Sequence, residues 1–166
     1  MPDLKPITRE GVPAALQKAE RYRLLNDSSA AESICLDVLE IEPENQSALV
    51  TLLLSITDQF SGGLSEGVLR AQALLPRLRD EYKRAYYHGI VCERRANARL
   101  GGHTLGAEDA AAEWLREAME WYEKAEAMRP AGNDEAILRW NTCARALNAN
   151  PDLRPSPVEA YEPSLE

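Results

Sequence analysis

Histidine is scarce in this chain, with His88 and His103 its two copies, and phenylalanine occurs once, at Phe60. The three cysteines, Cys35, Cys92 and Cys143, are odd in number, far apart and outside CxxC or CxxCH spacing. That pattern indicates neither a disulfide frame, a zinc site nor haem attachment, and a reduced, cytoplasmic setting is expected. No apolar run approaches the roughly 20 residues that cross a bilayer, and the opening "MPDLKPITREG" lacks the apolar core of a secretory signal. No glycine-rich phosphate loop, catalytic triad or metal-ligand spacing is present, so no catalytic residue, metal or cofactor is expected. Glu113, Glu117 and Glu120 are spaced like the carboxylates of di-iron bundles, but neither histidine supplies the Glu-x-x-His pairs those sites need. An exposed helix face explains the glutamates without a metal.

A single Phe beside three Trp, six Tyr and abundant Ala and Leu suits helices packed through small residues better than a sheet core. At 166 residues the chain fits one domain, large enough to bury a core without staples. Its net charge of −8 is unevenly spread. Residues 1–60 carry five basic and ten acidic side chains, 61–106 eight and four, 107–148 five and nine, and 149–166 one and four. The acidic total disfavours general binding of nucleic acid, while the basic middle leaves room for a local acidic partner.

Proline supplies the punctuation. Ala31, Cys35, Val38 and Pro43 are spaced 4, 3 and 5 residues apart, and the same steps recur at Leu64, Val68, Ala71 and Pro76. They recur again at Ala118, Tyr122, Ala125 and Pro130. Each set puts three small or apolar residues on one helical face and then ends the helix. The prolines stand 33 and then 54 residues apart, a repeat of about 33 with one expanded unit. After Pro43 and Pro130 the offsets +6, +10 and +13 give Leu49, Leu53, Ile56 and Ala136, Trp140, Cys143. After Pro76 they give Tyr82, Tyr86 and Gly89, while a register three residues later gives Ala85, Gly89 and Cys92; both stay open. The cysteines fall at small interior positions of this pattern, which assigns them to packing instead of nucleophilic chemistry.

The spacing predicts seven helices near 10–26, 28–42, 45–60, 63–79, 80–100, 107–129 and 133–148, an all-α fold. Asn45 and Asn133 are expected N-caps, and the glycines of "FSGG" and "LGG" are expected to break the chain through positive φ. Residues 1–9 form an N-terminal extension. The proline-rich, acidic segment 149–166 is expected to be extended or disordered.

Through Ala15, Ala19, Tyr22, Ala31 and Pro43 the chain resembles the tetratricopeptide repeat family over about residues 12–148. The family's usual Trp, Leu and Gly of the first helix are replaced here by Ala15, Lys18 and Ala19. The resemblance implies an α-solenoid of antiparallel helix pairs, with units at 12–45, 46–78 and an expanded 79–132, closed by a terminal helix at 133–148. It also implies a concave groove lined by the first helix of each pair, holding a peptide, helix or loop of another protein. The implied groove residues are Leu16, Glu20 and Arg23; Val50, Leu54 and Thr57; Tyr86, Ile90 and Glu93; and Ile137, Asn141 and Arg145. Leu16 and Glu20 stand where family members that clamp a C-terminal carboxylate carry Lys and Asn, which argues against that role.

Two further surfaces stand out. Arg84, His88, Arg95 and Arg99 form a stripe along the fifth helix, a docking surface for an acidic protein or RNA unless the acidic sixth helix pairs with it. Trp114 and Trp121 lie seven apart on the sixth helix. Core packing suits Trp121, whereas Trp114 is left open as part of a docking surface. The leading expectation is a non-catalytic interaction module that scaffolds or assists assembly of a larger complex, as an accessory subunit or maturation factor. The alternative is a regulator binding RNA or an acidic protein through the fifth helix.

Overall fold

Each of the three punctuating prolines follows a helix end by two residues. Helix α2 ends at Ile41 before Pro43, α4 at Leu74 before Pro76, and α6 at Met128 before Pro130. At Pro43 and Pro130 the steric reason is local, because a proline ring drives the residue before it, Glu42 or Arg129, out of the helical region. The structure, a computed structural model, describes residues 1–62, 64–102 and 106–153, and the side chains of 62–65 are outside that description. Its helices are α1 (Val12–Leu24), α2 (Ser28–Ile41), α3 (Gln46–Asp58), α4 (Leu64–Leu74), α5 (Glu81–Leu100), α6 (Ala107–Met128) and α7 (Glu135–Ala149). Among the described residues there is no strand, so the fold is all-α, as the sequence predicts.

Side-chain caps account for several helix starts. Asp27, Asn45 and Asp80 accept from the N–H groups of Ala30, Ala48 and Lys83 at 3.1, 2.9 and 3.1 Å. Asn133 stands one residue ahead of the α7 cap position, Asp134, yet still accepts from the Glu135 N–H at 3.0 Å. Pro76 does not kink α4 but sits in the 3₁₀ turn Leu75–Arg77 that ends it. The expectation for the "LGG" pair is corrected, since Gly101 is in the right-handed helical region at φ −69° and positive φ is found at Gly106 and Gly132, while Gly63 of "FSGG" lies outside the described residues.

All the repeat-stripe residues whose side chains are described are buried: Ala31, Cys35, Val38; Val68, Ala71; Ala118, Tyr122, Ala125. Leu64 falls among the side chains not described. Successive helices pack antiparallel, and α1 also touches α3, which touches α5. Fewer contacts join α2 to α4, where Arg70 of α4 pairs with Glu32 of α2. Two cores result. An aliphatic one around Leu49, Leu53, Ile56, Phe60 and Leu78 holds α1–α4 together. The second joins α5, α6 and α7 through Ala85, Cys92, Ala96, Ala111, Ala118, Tyr122 and Cys143, and Leu54 and Tyr87 pack against both.

The expanded unit is a long hairpin. Helices α5 and α6 run 20 and 22 residues, against 14 and 11 for α2 and α4. A Cβ on Gly89 would stand 2.4 Å from the Tyr122 ring, so glycine is what lets the two helices close over that ring. Both α5 registers are used: Ala85, Gly89 and Cys92 are buried, and so is Tyr82, with Tyr86 half-buried beside it. A helix sandwiched between two layers has two buried faces, which a one-stripe pattern cannot describe.

The expectation that the chain becomes extended or disordered from residue 149 fails over its first residues. Helix α7 includes Ala149, and Pro151–Leu153 then form a 3₁₀ turn. Leu153 is buried in the second core, and its carbonyl accepts from Arg116 Nη2 at 3.1 Å. The apolar side chain anchors the segment, while residues 154–166 are outside the described residues. The insertion at 103–105, including His103, is outside them too.

Candidate functional site

The helices that carry the expected groove residues, α1, α3, α5 and α7, are tied together by ionic lattices. Asp58, the last residue of α3, stands where the helix dipole disfavours an acid, and two arginines from neighbouring helices compensate. Arg23 of α1 donates through Nε to Asp58 Oδ2 at 2.7 Å. Arg94 of α5 donates to Asp58 Oδ1, to Thr57 Oγ1 at 2.6 Å and to the Leu54 carbonyl at 3.1 Å. One guanidinium thereby satisfies a carbonyl of the last turn of α3 and ties α3 to α5. Burial presses Arg94 below the usual guanidinium range, opposed by the charge of Asp58.

A second lattice joins α5, α6 and α7. Glu93 is 4% exposed. It accepts from the Tyr122 hydroxyl at 2.6 Å and from Arg139 Nη1 at 3.1 Å. Burial, with Glu93 beside it, pushes Tyr122 far above the ordinary phenol range. Tyr86 packs 5.9 Å from Tyr122, ring to ring, with the Arg139 charge nearby.

The twelve predicted groove residues divide accordingly. Leu16, Val50, Leu54, Tyr86, Ile137 and Asn141 are half-buried, and Glu20 and Arg145 are exposed. Arg23 is half-buried and held by Asp58. Thr57, Ile90 and Glu93 are corrected: all three are buried and present nothing to a partner. Thr57 donates to the Leu54 carbonyl at 2.9 Å and receives Arg94, Glu93 serves the lattice, and Ile90 fills the second core. Sequence reasoning missed Asp58, Arg94 and Arg139, and gave Tyr122 only a packing role. Asp58 and Arg94 each adjoin a residue it chose, one step along the helix, so a charged neighbour at the end of an apolar stripe was the available signal.

Arg84, His88 and Arg95 of the α5 stripe are engaged within the molecule. The Arg95 guanidinium lies 3.9 Å from the centre of the Trp114 ring, and His88 stacks on Trp121 at 3.9 Å and 11°. Lys124 covers Trp121 as well, its Nζ 3.9 Å from the ring centre. Arg84 donates to the carbonyls of Leu78 at 2.8 Å and Arg79 at 3.4 Å, and the Nε atoms of Arg95 and Arg99 are buried. Trp114 is thus the seat of a cation, not a bare docking surface. Trp121 packs half-buried against the second core, as expected, and its other side lines a cleft of about 540 Å³ with Gln72, Leu75, Pro76, Arg84 and His88.

No described helix is long and apolar enough to cross a membrane. Comparison of the chain with family models, with curated proteins and with solved structures finds no match.

Proposed function

We propose that this chain is a non-catalytic, tetratricopeptide-like binding array that takes a peptide, helix or loop of another protein across its inner face. One observation carries the reading: Arg94 locks α5 against the last turn of α3, while Val50, Leu54 and Tyr86 beside that joint stay half-buried. A surface held rigid before binding loses little conformational entropy on binding. Its apolar centre is flanked by Glu20 on α1 and Asn141 and Arg145 on α7, which suits a partner segment with an apolar anchor and polar ends. Such a module scaffolds or assists assembly of a larger complex, as an accessory subunit or maturation factor. The alternative, RNA or an acidic protein on the basic stripe of α5, has less support, since Arg84 and Arg95 are already engaged.

Capture of partners by the full chain tests the reading. The double variant Leu54→Arg with Asn141→Ala is expected to lose the captured protein, and so is the charge reversal Glu20→Lys with Arg145→Glu, which touches only exposed side chains. Unchanged capture by the folded variants would overturn the groove. Retention on heparin at physiological salt, abolished by Arg84, Arg95 and Arg99→Glu together, would favour the alternative.

A further inference from the structure

Further around α5 from the groove residues lies a second constellation. His88 and Cys92 are one helical turn apart, so their side chains share a face. Glu117 approaches them from α6. The imidazole nitrogen, thiol sulfur and carboxylate oxygen lie within 4.8 Å of one another. At 100° per residue, His88 and Cys92 centre about 130° around α5 from Tyr86 and Glu93, and none of the three ligands is one of the groove residues, so this cluster is separate from the binding face.

We propose that His88, Cys92 and Glu117 bind one zinc-class divalent ion through three protein ligands, leaving a fourth position to water or an exogenous ligand. The donor set is what this chemistry selects: imidazole, thiolate and carboxylate together suit borderline zinc, whereas a hard ion such as magnesium takes oxygens. Binding releases the Cys92 proton to solvent, and the thiolate with the Glu117 carboxylate balances the two positive charges of the ion. The neighbouring cations are held aside, Arg95 on Trp114 and Lys124 on Trp121. Stacking on Trp121 fixes the plane of the His88 ring before the ion arrives. Access is available from two directions, because Glu117 is exposed and His88 also lines the cleft of about 540 Å³ beside Pro76. The ion would clamp α5 to α6 in the expanded unit, where the repeat departs from its period.

Cobalt(II) titration of the chelator-treated full chain tests the site. One equivalent is expected to give a thiolate-to-cobalt charge-transfer band with intense tetrahedral d–d bands, and zinc is expected to displace it. Cys92→Ser should lose the charge-transfer band. His88→Gln and Glu117→Gln should weaken binding by more than the roughly 10–100-fold that loss of a mere supporting group brings. Glu117 is exposed, so Glu117→Gln keeps the test decisive if Cys92→Ser fails to fold. His103→Gln should bind as the unaltered chain does. Absence of a thiolate band, its persistence in Cys92→Ser, undiminished affinity in Glu117→Gln and His88→Gln, or its loss in His103→Gln would each overturn the site.

Discussion

The two halves of this molecule pack by different rules. Helices α1–α4 are short, close over leucine, isoleucine and phenylalanine, and keep the 33-residue step between Pro43 and Pro76. Helices α5 and α6 are long, meet through alanine, glycine and cysteine, and bury a tyrosine and a glutamate at the joint. Small residues bring backbones close and leave little room, so the second half depends on fit and on satisfied polar groups. The first half depends on apolar volume. The short helices therefore build the frame, and the long hairpin holds the unusual chemistry: the Tyr122–Glu93–Arg139 lattice and, further around α5, the His88–Cys92–Glu117 cluster.

Two glycines give the sharpest way to break this contrast. Gly89→Ala drives a methyl group into the fully buried Tyr122 ring, and we expect a loss of about 2–3 kcal/mol in denaturant unfolding. Gly67→Ala in α4 meets the Phe60 ring at 3.2 Å and Ile56 at 3.9 Å and gains helix propensity, so its stability should change by no more than about 0.5 kcal/mol. Equal effects at the two positions would remove the distinction between the halves.

The polar joints should rank next. Glu93→Gln keeps the shape but leaves the Tyr122 hydroxyl and Arg139 without their carboxylate, and about 1–3 kcal/mol should be lost in the same assay. Asp58→Asn removes a partner of Arg23 and Arg94 at a site more open to water, where screening reduces the loss to about 1 kcal/mol. A larger loss at Asp58 than at Glu93 would reverse the assignment of the stronger lattice to the expanded half.

Alkaline pH provides a smaller and more gradual test. Burial pushes the Cys35 thiol in the first core and the Cys143 thiol in the second up to about 12. Their protonated forms stabilise the fold, so this contribution is fully present below the unfolded thiol value of about 8.5. It is lost as pH rises from there toward about 12, because the unfolded chain gives up those protons first. Melting temperature should therefore fall progressively above about pH 9, with the fall reduced in Cys35→Ala and Cys143→Ala and present in both halves.

Helix ends were legible in the sequence because proline and cap residues act on their immediate neighbours. Pro43, Pro76 and Pro130 mark the ends of α2, α4 and α6, and Asn45 caps α3. The buried stripes were legible for the same reason, since three residues on one face require no knowledge of what covers them. The burial of Ile90 and Glu93 was not legible, because α5 is covered on two sides and periodicity alone assigns one. The His88–Cys92–Glu117 cluster was hidden in another way. His88 and Cys92 share a turn, but Glu117 arrives from α6, 25 residues along the chain from Cys92, and only packing of the hairpin brings it near.

The most direct test of the inner face as the binding surface is site-specific photo-crosslinking in native extract. A photoreactive residue placed at Glu20 or Asn141, on α1 and α7, is expected to form a covalent adduct with the partner protein. The same residue at Leu69, 69% exposed on α4, is expected to form none. An adduct from Leu69 with none from Glu20 or Asn141 would contradict the inner face as the site.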